Sequence, residues 1–180
     1  MAEGILQTKA IQHKLNWQVD SAGTSNYHCG EAPHELSQKV ALHYGVDITQ
    51  QVCRQFVKVD IMRFDKIYVM DTNNYKEVER IAGILWDATK VDLLLNELYP
   101  QEDREVPDPW GGSEKDFQNV YQMIEQACDK IIRKYAKINS ILEHRTNLVV
   151  KYIHLLINIL AFTSIIIIWG VKKDQILLIT

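Results

Sequence analysis

The first 137 residues carry a mixed helical and strand-like pattern of hydrophobic positions. The opening segment, MAEGILQTKAIQHKL, predicts a helix because its apolar residues recur at the spacing of one helical face. These residues are Ala2, Ile5, Leu6 and Ala10. No Ser, Thr, Asp or Asn stands before them as a cap. We therefore interpret Met1 as an internal position of a longer pattern.

Short apolar runs alternate with further helices. The run around Trp17 predicts one strand, and residues 67–70 predict a second that is too continuous for a strand with one face in water. The segment KVDLLLNEL predicts a third strand, and the long apolar stripe after Ser113 predicts a helix that Ser113 and Asp116 cap. Because strands alternate with helices, the pattern predicts an α/β fold, a parallel sheet with helices on both faces.

The composition changes near residue 138. We interpret residues 138–151 as a linker. Residues 152–171, which follow it, contain no Asp, Glu, Lys or Arg. About 20 helical residues cross a hydrocarbon layer of ~30 Å, so this C-terminal apolar helix is a candidate transmembrane segment. Residues 172–180 would follow as a tail, and the basic N-terminal flank predicts that the preceding domain faces the cytoplasm.

A second interpretation of this apolar segment stays open. His154 and Asn158 are costly in lipid. The local richness in Ile, Asn and Lys is also typical of AT-rich DNA translated outside its reading frame. The segment is therefore either a membrane anchor or a foreign extension.

Composition excludes several function classes. The formal net charge is −3 and the basic residues do not gather with aromatic ones, so nucleic acid is not expected as a partner. The three cysteines, Cys29, Cys53 and Cys128, lack the C-x-x-C spacing of metal or redox sites. We interpret all three as reduced, buried, small apolar side chains of a cytoplasmic protein without a secretory signal.

Polar residues follow each predicted strand. In a parallel sheet of this kind ligands bind at the carboxyl ends of the strands, so these residues are expected to line one crevice. They are Asp20 and Ser21, then Asp71 and Asn74, and then the loop REVPDPWGG.

Asp108 in that loop lies between two prolines and before Trp110. Prolines restrict the backbone around them, so the carboxylate is held on a stiff loop. We expect the apolar bodies of Pro and Trp to shield this carboxyl group from water, which would suit a general acid. The same Asp-Pro pair is also typical of a turn before a helix, and this alternative stays open.

Four separated blocks of the sequence resemble one protein family. The blocks are MAEGIL, VDSAGTSNYHCGEAP, FDKIYVMDTNNY and REVPDPWGG. In this order and at these spacings they are similar to the low-molecular-weight protein tyrosine phosphatases, which read S-P-M-A-E, D-S-A-G-T, M-D-x-x-N and D-P followed by aromatics. The resemblance covers residues 1–137 and implies a phosphatase-like domain that uses no cofactor and no metal.

The resemblance also implies residue roles. In this family a cysteine thiolate attacks a phosphate monoester, which backbone N–H groups and an arginine hold, and an aspartic acid protonates the leaving oxygen. Asp108 stands at the position of that acid. Tyr27 and Trp110 resemble the aromatic walls around a phosphotyrosine protein or a small aryl phosphate, although phosphoarginine and arsenate also occur as substrates in the family. The residues that resemble the polar support of the phosphate loop are Ser21, Asp71 and Asn74.

The phosphate loop of the family, C-x5-R-S, is missing from the chain. It precedes the M-A-E helix in the family, where Met1 now stands. The residues six positions after the three cysteines are Glu35, Val59 and Lys134, so the 180 residues contain no C-x5-R. The sequence therefore predicts a truncated domain that lacks phosphatase activity.

The strand that leads into this loop is also predicted to be missing. In the family it lies between the strands that correspond to Trp17 and Ile67, so its loss predicts two long exposed edges, a core gap and marginal stability. Two interpretations of the chain stay open. In the first, it is a phosphatase of the family whose start has been misplaced or whose gene is damaged. In the second, it is a non-catalytic, membrane-tethered phosphotyrosine-binding protein.

Overall fold

The computed structural model describes residues 1–159 and 174–180, and it describes side chains for residues 1–136 and 174–180. The chain divides into two units. One comprises residues 1–132 and 173–180, and the other comprises residues 133–172. The sheet and both cavities considered below belong to the first unit.

Helices and strands alternate along the described chain, which confirms the α/β class. The helices are α1 (Ala2–Gln12), α2 (Glu35–His43), α3 (Asp60–Arg63), α4 (Thr72–Ala82) and α5 (Glu114–Ile159). The strands are β1 (Trp17–Ala22), β2 (Lys66–Val69), β3 (Val91–Leu93) and β4 (Asp174–Ile179). Two short 3-10 helices cover Gly83–Leu85 and Leu94–Glu97.

The four described strands form one parallel sheet in the order β1-β4-β2-β3. The predicted strand KVDLLLNEL is shorter than expected, because only β3 is extended and the chain then turns into a 3-10 helix. The Asn96 side-chain amide donates to Asp92 Oδ1 over 2.8 Å. This bond spans the point at which β3 gives way to the 3-10 helix.

The expectation of two long edges and a core gap is wrong, because β4 lies between β1 and β2. Ile176 pairs with Val19 of β1, and Leu177 pairs with Ile67 of β2. The segment therefore occupies the position at which the family resemblance implied a missing strand. Residues 174–179, which the pattern had assigned to a tail, are a central strand of the sheet.

Both faces of the sheet are covered. Leu177 and Leu178 are consecutive in β4 and therefore point to opposite faces, and both are fully buried. Leu177 packs in a cluster with Phe56, from the loop between α2 and α3, and with Val78 of α4. A central parallel strand needs apolar side chains on both faces, and the run ILLI supplies them.

The described chain gives no support for the predicted transmembrane helix. Within the described residues, no helix combines the length and the apolar composition that a bilayer crossing requires. Residues 152–159 are the end of α5, and residues 160–171 of the predicted segment lie outside the described residues.

Candidate functional site

A cavity of about 140 Å³ lies at the carboxyl ends of β1 and β4. We call it the strand-end cavity. Ser21 and Ala22 of β1 line it, together with Thr180 after β4 and Glu3 from the first turn of α1. Two loop segments, residues 31–33 and 51–54, also line it. This is the edge of the sheet at which ligands of parallel α/β folds bind, as the sequence predicted.

Ser21 is held towards the start of α1. Its hydroxyl donates to Glu3 Oε2 over 2.5 Å, and its backbone N–H donates to Asp20 Oδ1 over 2.8 Å. Ser21 thus lines a cavity at a strand end. Its hydroxyl is occupied by the carboxylate of Glu3, so its contact is with α1.

Arg54 also lines the strand-end cavity, and sequence reasoning did not select it. Its Nε and Nη2 donate to Asp20 Oδ2 over 3.0 and 2.9 Å, and its Nη1 donates to Asp60 Oδ2 over 2.9 Å. Burial lowers the pKa of Arg54, but the bonds to Asp20 and Asp60 outweigh that effect and leave the pKa above its usual value. Its fork of donors is engaged by two carboxylates, so Arg54 does not stand in for a free phosphate-binding arginine.

No motif pointed to Arg54. It lies 34 positions from Asp20 along the chain, so only the folded chain reveals the contact.

Asp108 lies on a second cavity of about 240 Å³, which we call the Asp108 cavity. Trp110 lines the same cavity, and its backbone N–H donates to Asp108 Oδ1 over 3.0 Å. The loop is anchored to the sheet because Val106 N–H donates to the carbonyl oxygen of Met70, just after β2, over 2.8 Å. The loop that carries Asp108 is therefore tied to the carboxyl end of β2. Asp108 itself is exposed to solvent and not shielded by its apolar neighbours.

Two glycines let this loop turn into α5. Gly111 has a positive φ of 78°, which favours glycine. A Cβ on Gly112 would lie 2.9 Å from the carbonyl oxygen of Pro109. Asp116 then accepts from the backbone N–H and the hydroxyl of Ser113, each over 2.7 Å, which confirms the predicted capping pair.

The aromatic residues of the predicted site are open to solvent. Tyr27 is 87% exposed and Trp110 is 77% exposed. Trp110 shares a cavity with Asp108, whereas Tyr27 is not among the residues that line either cavity in the described structure. The structure thus brings Asp108 and Trp110 together and places Ser21 in the other cavity.

Asp71 and Asn74 form the beginning of α4. Asp71 Oδ1 accepts from the Asn74 backbone N–H over 2.6 Å, so Asp71 is the N-cap of the helix. The next residue, Thr72, donates from both its backbone N–H and its hydroxyl to Glu105 Oε1. These bonds connect the beginning of α4 to the segment that leads into the Asp108 loop.

The three cysteines differ in exposure, so their interpretation as buried apolar side chains is wrong for Cys29. Cys29 is exposed, Cys53 is half-buried and Cys128 is buried. Burial raises the pKa of the Cys128 thiol to about 12, which keeps it protonated at neutral pH. Among the described residues, no group of three or more His, Cys, Asp and Glu side chains is placed to hold a metal ion.

Comparison with known proteins decides the family. The family model of the low molecular weight phosphotyrosine protein phosphatases matches residues 1–141. The chain belongs to this family. The human low molecular weight phosphotyrosine protein phosphatase is 33% identical over 136 residues, which cover 74% of this chain and 85% of the human protein.

Solved structures of the family share the fold. A protein tyrosine phosphatase from Entamoeba histolytica, crystallised with Hepes in its active site, superposes with a TM-score of 0.69 at 30% identity. The match covers 77% of this chain and 88% of the other. A Drosophila arginine phosphatase superposes with a TM-score of 0.68 at 29% identity, covering 74% of this chain and 87% of the other. The predicted family resemblance is confirmed.

Proposed function

We propose that this chain carries the acid and aryl-recognition parts of a phosphotyrosine phosphatase site. In this proposal Asp108 is the proton donor, and Tyr27 and Trp110 flank the aromatic ring of the substrate. Ser21, Asp71 and Asn74 support the site through the bonds described above. The observation that carries the proposal is the exposed Asp108 carboxylate beside Trp110, on a loop anchored at a strand end, in a chain of this family.

The 180-residue chain is proposed to lack hydrolytic activity by itself. Hydrolysis in this mechanism needs a thiolate that attacks phosphorus and an arginine that holds the anion. None of the three cysteines has an arginine six positions later. Cys128 is buried and protonated, and Arg54 is engaged by two carboxylates. Without an attacking group, Asp108 has no leaving oxygen to protonate.

Activity can be measured with p-nitrophenyl phosphate. The purified 180-residue chain is expected to release no more nitrophenol than buffer, and the Asp108→Asn variant is expected to behave identically. The human low molecular weight phosphotyrosine protein phosphatase, assayed in parallel, serves as the positive control. Hydrolysis by the chain that disappears in Asp108→Asn would contradict the proposed inactivity and support Asp108 as the acid.

A second candidate function is binding of phosphotyrosine without hydrolysis. The observation that favours it is the exposure of the two aromatic side chains, because exposed rings are available to stack on an aryl group. Membrane tethering, which accompanied this alternative in the sequence, stays a prediction. A cytoplasmic setting fits either function, since all three cysteines are free thiols.

Calorimetric titration tests the binding function. A phosphotyrosine peptide is expected to bind, and Trp110→Ala is expected to weaken binding about 2- to 10-fold, the value of one lost aromatic stack. The same peptide without phosphate is the control for unspecific contact. A phosphoarginine peptide that binds more tightly would reassign the substrate class, and equal binding of the phosphorylated and unphosphorylated peptides would remove this candidate function.

A further inference from the structure

Two cysteines that are far apart in sequence lie in adjacent backbone segments. The backbone N–H of Gly30, next to Cys29, donates to the carbonyl oxygen of Cys53 over 2.8 Å. The N–H of Cys53 donates to the carbonyl oxygen of Glu31 over 2.9 Å. These two bonds hold Gly30 and Glu31, the residues that follow Cys29, against residue 53.

The segment that contains Cys53 is fixed at a second point. Gly23 N–H donates to the carbonyl oxygen of Arg54 over 2.9 Å, and Phe56 N–H donates to the carbonyl oxygen of Gly23 over 2.8 Å. Arg54 in turn is held by its bonds to Asp20 and Asp60. These bonds hold the Cys53 segment at the carboxyl end of β1. The side chains of Cys29 and Cys53 lie near enough to interact with each other, which is the proximity that a disulfide requires.

The Cys29 side chain lies next to the Cys53 thiol. Burial raises the pKa of the Cys53 thiol, and the neighbouring side chains of Cys29 and Glu31 raise it further. Cys29 is exposed, whereas Cys53 is half-buried and lines the strand-end cavity. A small reagent in solution therefore reaches Cys29 first, with Cys53 behind it.

We propose that Cys29 and Cys53 form a redox-sensitive thiol pair that reacts with low-molecular-weight disulfides and closes into an intramolecular disulfide. The Cys29 thiolate attacks one sulfur of the oxidant disulfide, breaks its S–S bond and releases one thiolate, which takes up a proton. Cys53 then loses its proton and attacks the Cys29 sulfur, releasing the second thiol of the oxidant. Two electrons pass from the protein to the oxidant disulfide, which is reduced to two thiols.

The pair is distinct from the residues of the proposed phosphatase mechanism. The new bond would lie at the rim of the strand-end cavity, because residues 31–33 and 51–54 both line it. Closing the bond would fix these two segments to each other covalently. In a reducing compartment the pair would be open, and it would close as the ratio of disulfide to thiol rises.

Peptide mapping tests the proposal on the full 180-residue chain. The protein is equilibrated at neutral pH in buffers of increasing glutathione disulfide to glutathione ratio, quenched with acid, alkylated and digested with trypsin. Cleavage at Lys and Arg places Cys29 in residues 15–39, Cys53 in residues 40–54 and Cys128 in residues 116–130. Mass spectrometry is expected to show 15–39 linked to 40–54 as the ratio rises, with 116–130 outside the linkage.

Three variants complete the test. Cys53→Ser is expected to stop at a mixed disulfide of Cys29 with glutathione, and Cys29→Ser is expected to form no internal bond. Cys128→Ala is the matched control, in which the linkage forms as in the unmodified chain. Stable glutathione adducts on Cys29 of the unmodified chain, free thiols at every ratio, or a linkage that includes Cys128 would each overturn the proposal.

Discussion

Replacing Ile179 with alanine is expected to lower the free energy of unfolding by about 2–5 kcal/mol. Ile179 is fully buried in β4, and β4 lies between β1 and β2. The space left by the lost carbons is bounded by strands on both sides, so the surroundings cannot readily collapse into it. Domains of this kind have total stabilities of about 5–15 kcal/mol, so the loss is a large fraction of the whole. Urea denaturation followed by circular dichroism measures it.

The matched control is Ile84→Ala. Ile84 is fully exposed, so the same truncation is expected to change stability by no more than about 0.5 kcal/mol. If both variants shifted the urea midpoint equally, residues 174–179 would not be a core strand. Such a result would restore the expectation of an unfilled gap between β1 and β2.

Arg54→Ala is expected to cost about 1–3 kcal/mol of stability. Asp60 is buried, with a side chain that is 3% exposed, and Arg54 Nη1 is its charged partner at 2.9 Å. Removing the guanidinium leaves this carboxylate with the backbone N–H of Val57 as its described donor. The loss is smaller than for a fully buried ion pair because the Arg54 side chain is 31% exposed. Urea denaturation at neutral pH measures the change.

A double-mutant cycle separates the pair from the general loss of an arginine. Asp60→Asn in the Arg54→Ala background removes the unpaired charge, so the double variant is expected to be more stable than the sum of the single effects predicts. Arg80→Ala is the matched control, since Arg80 pairs with Glu77 on the exposed surface at 2.8 Å. Its expected cost is below about 1 kcal/mol. Additive effects of Arg54→Ala and Asp60→Asn would contradict the coupling.

Local patterns predicted much of the fold. The apolar stripe that contains Leu6 became α1, and the runs around Trp17 and Ile67 became β1 and β2. In these segments the side-chain periodicity and the buried face agree, so local sequence and tertiary packing favour the same structure. The same holds for Ser113 and Asp116, whose capping bonds involve residues only three positions apart.

The candidate site was predictable only where its residues belong to one loop. Asp108 and Trp110 are two positions apart, and the structure places them on one cavity. Ser21 lines a different cavity, and the contact of Arg54 with Asp20 joins residues 34 positions apart. No local pattern records such a contact, so sequence reasoning did not select Arg54.

The sequence by itself determined the α/β class, the family and the absence of a C-x5-R segment from these 180 residues. Each of these depends on the spacing of residues that lie close together along the chain. Only the tertiary structure decided the position of residues 174–179. Four consecutive apolar residues fit a buried strand anywhere in a parallel sheet, and the choice between sheet and tail depends on which neighbours leave a place open. Here β1 and β2 leave that place between them, and β4 fills it because both of its faces are apolar.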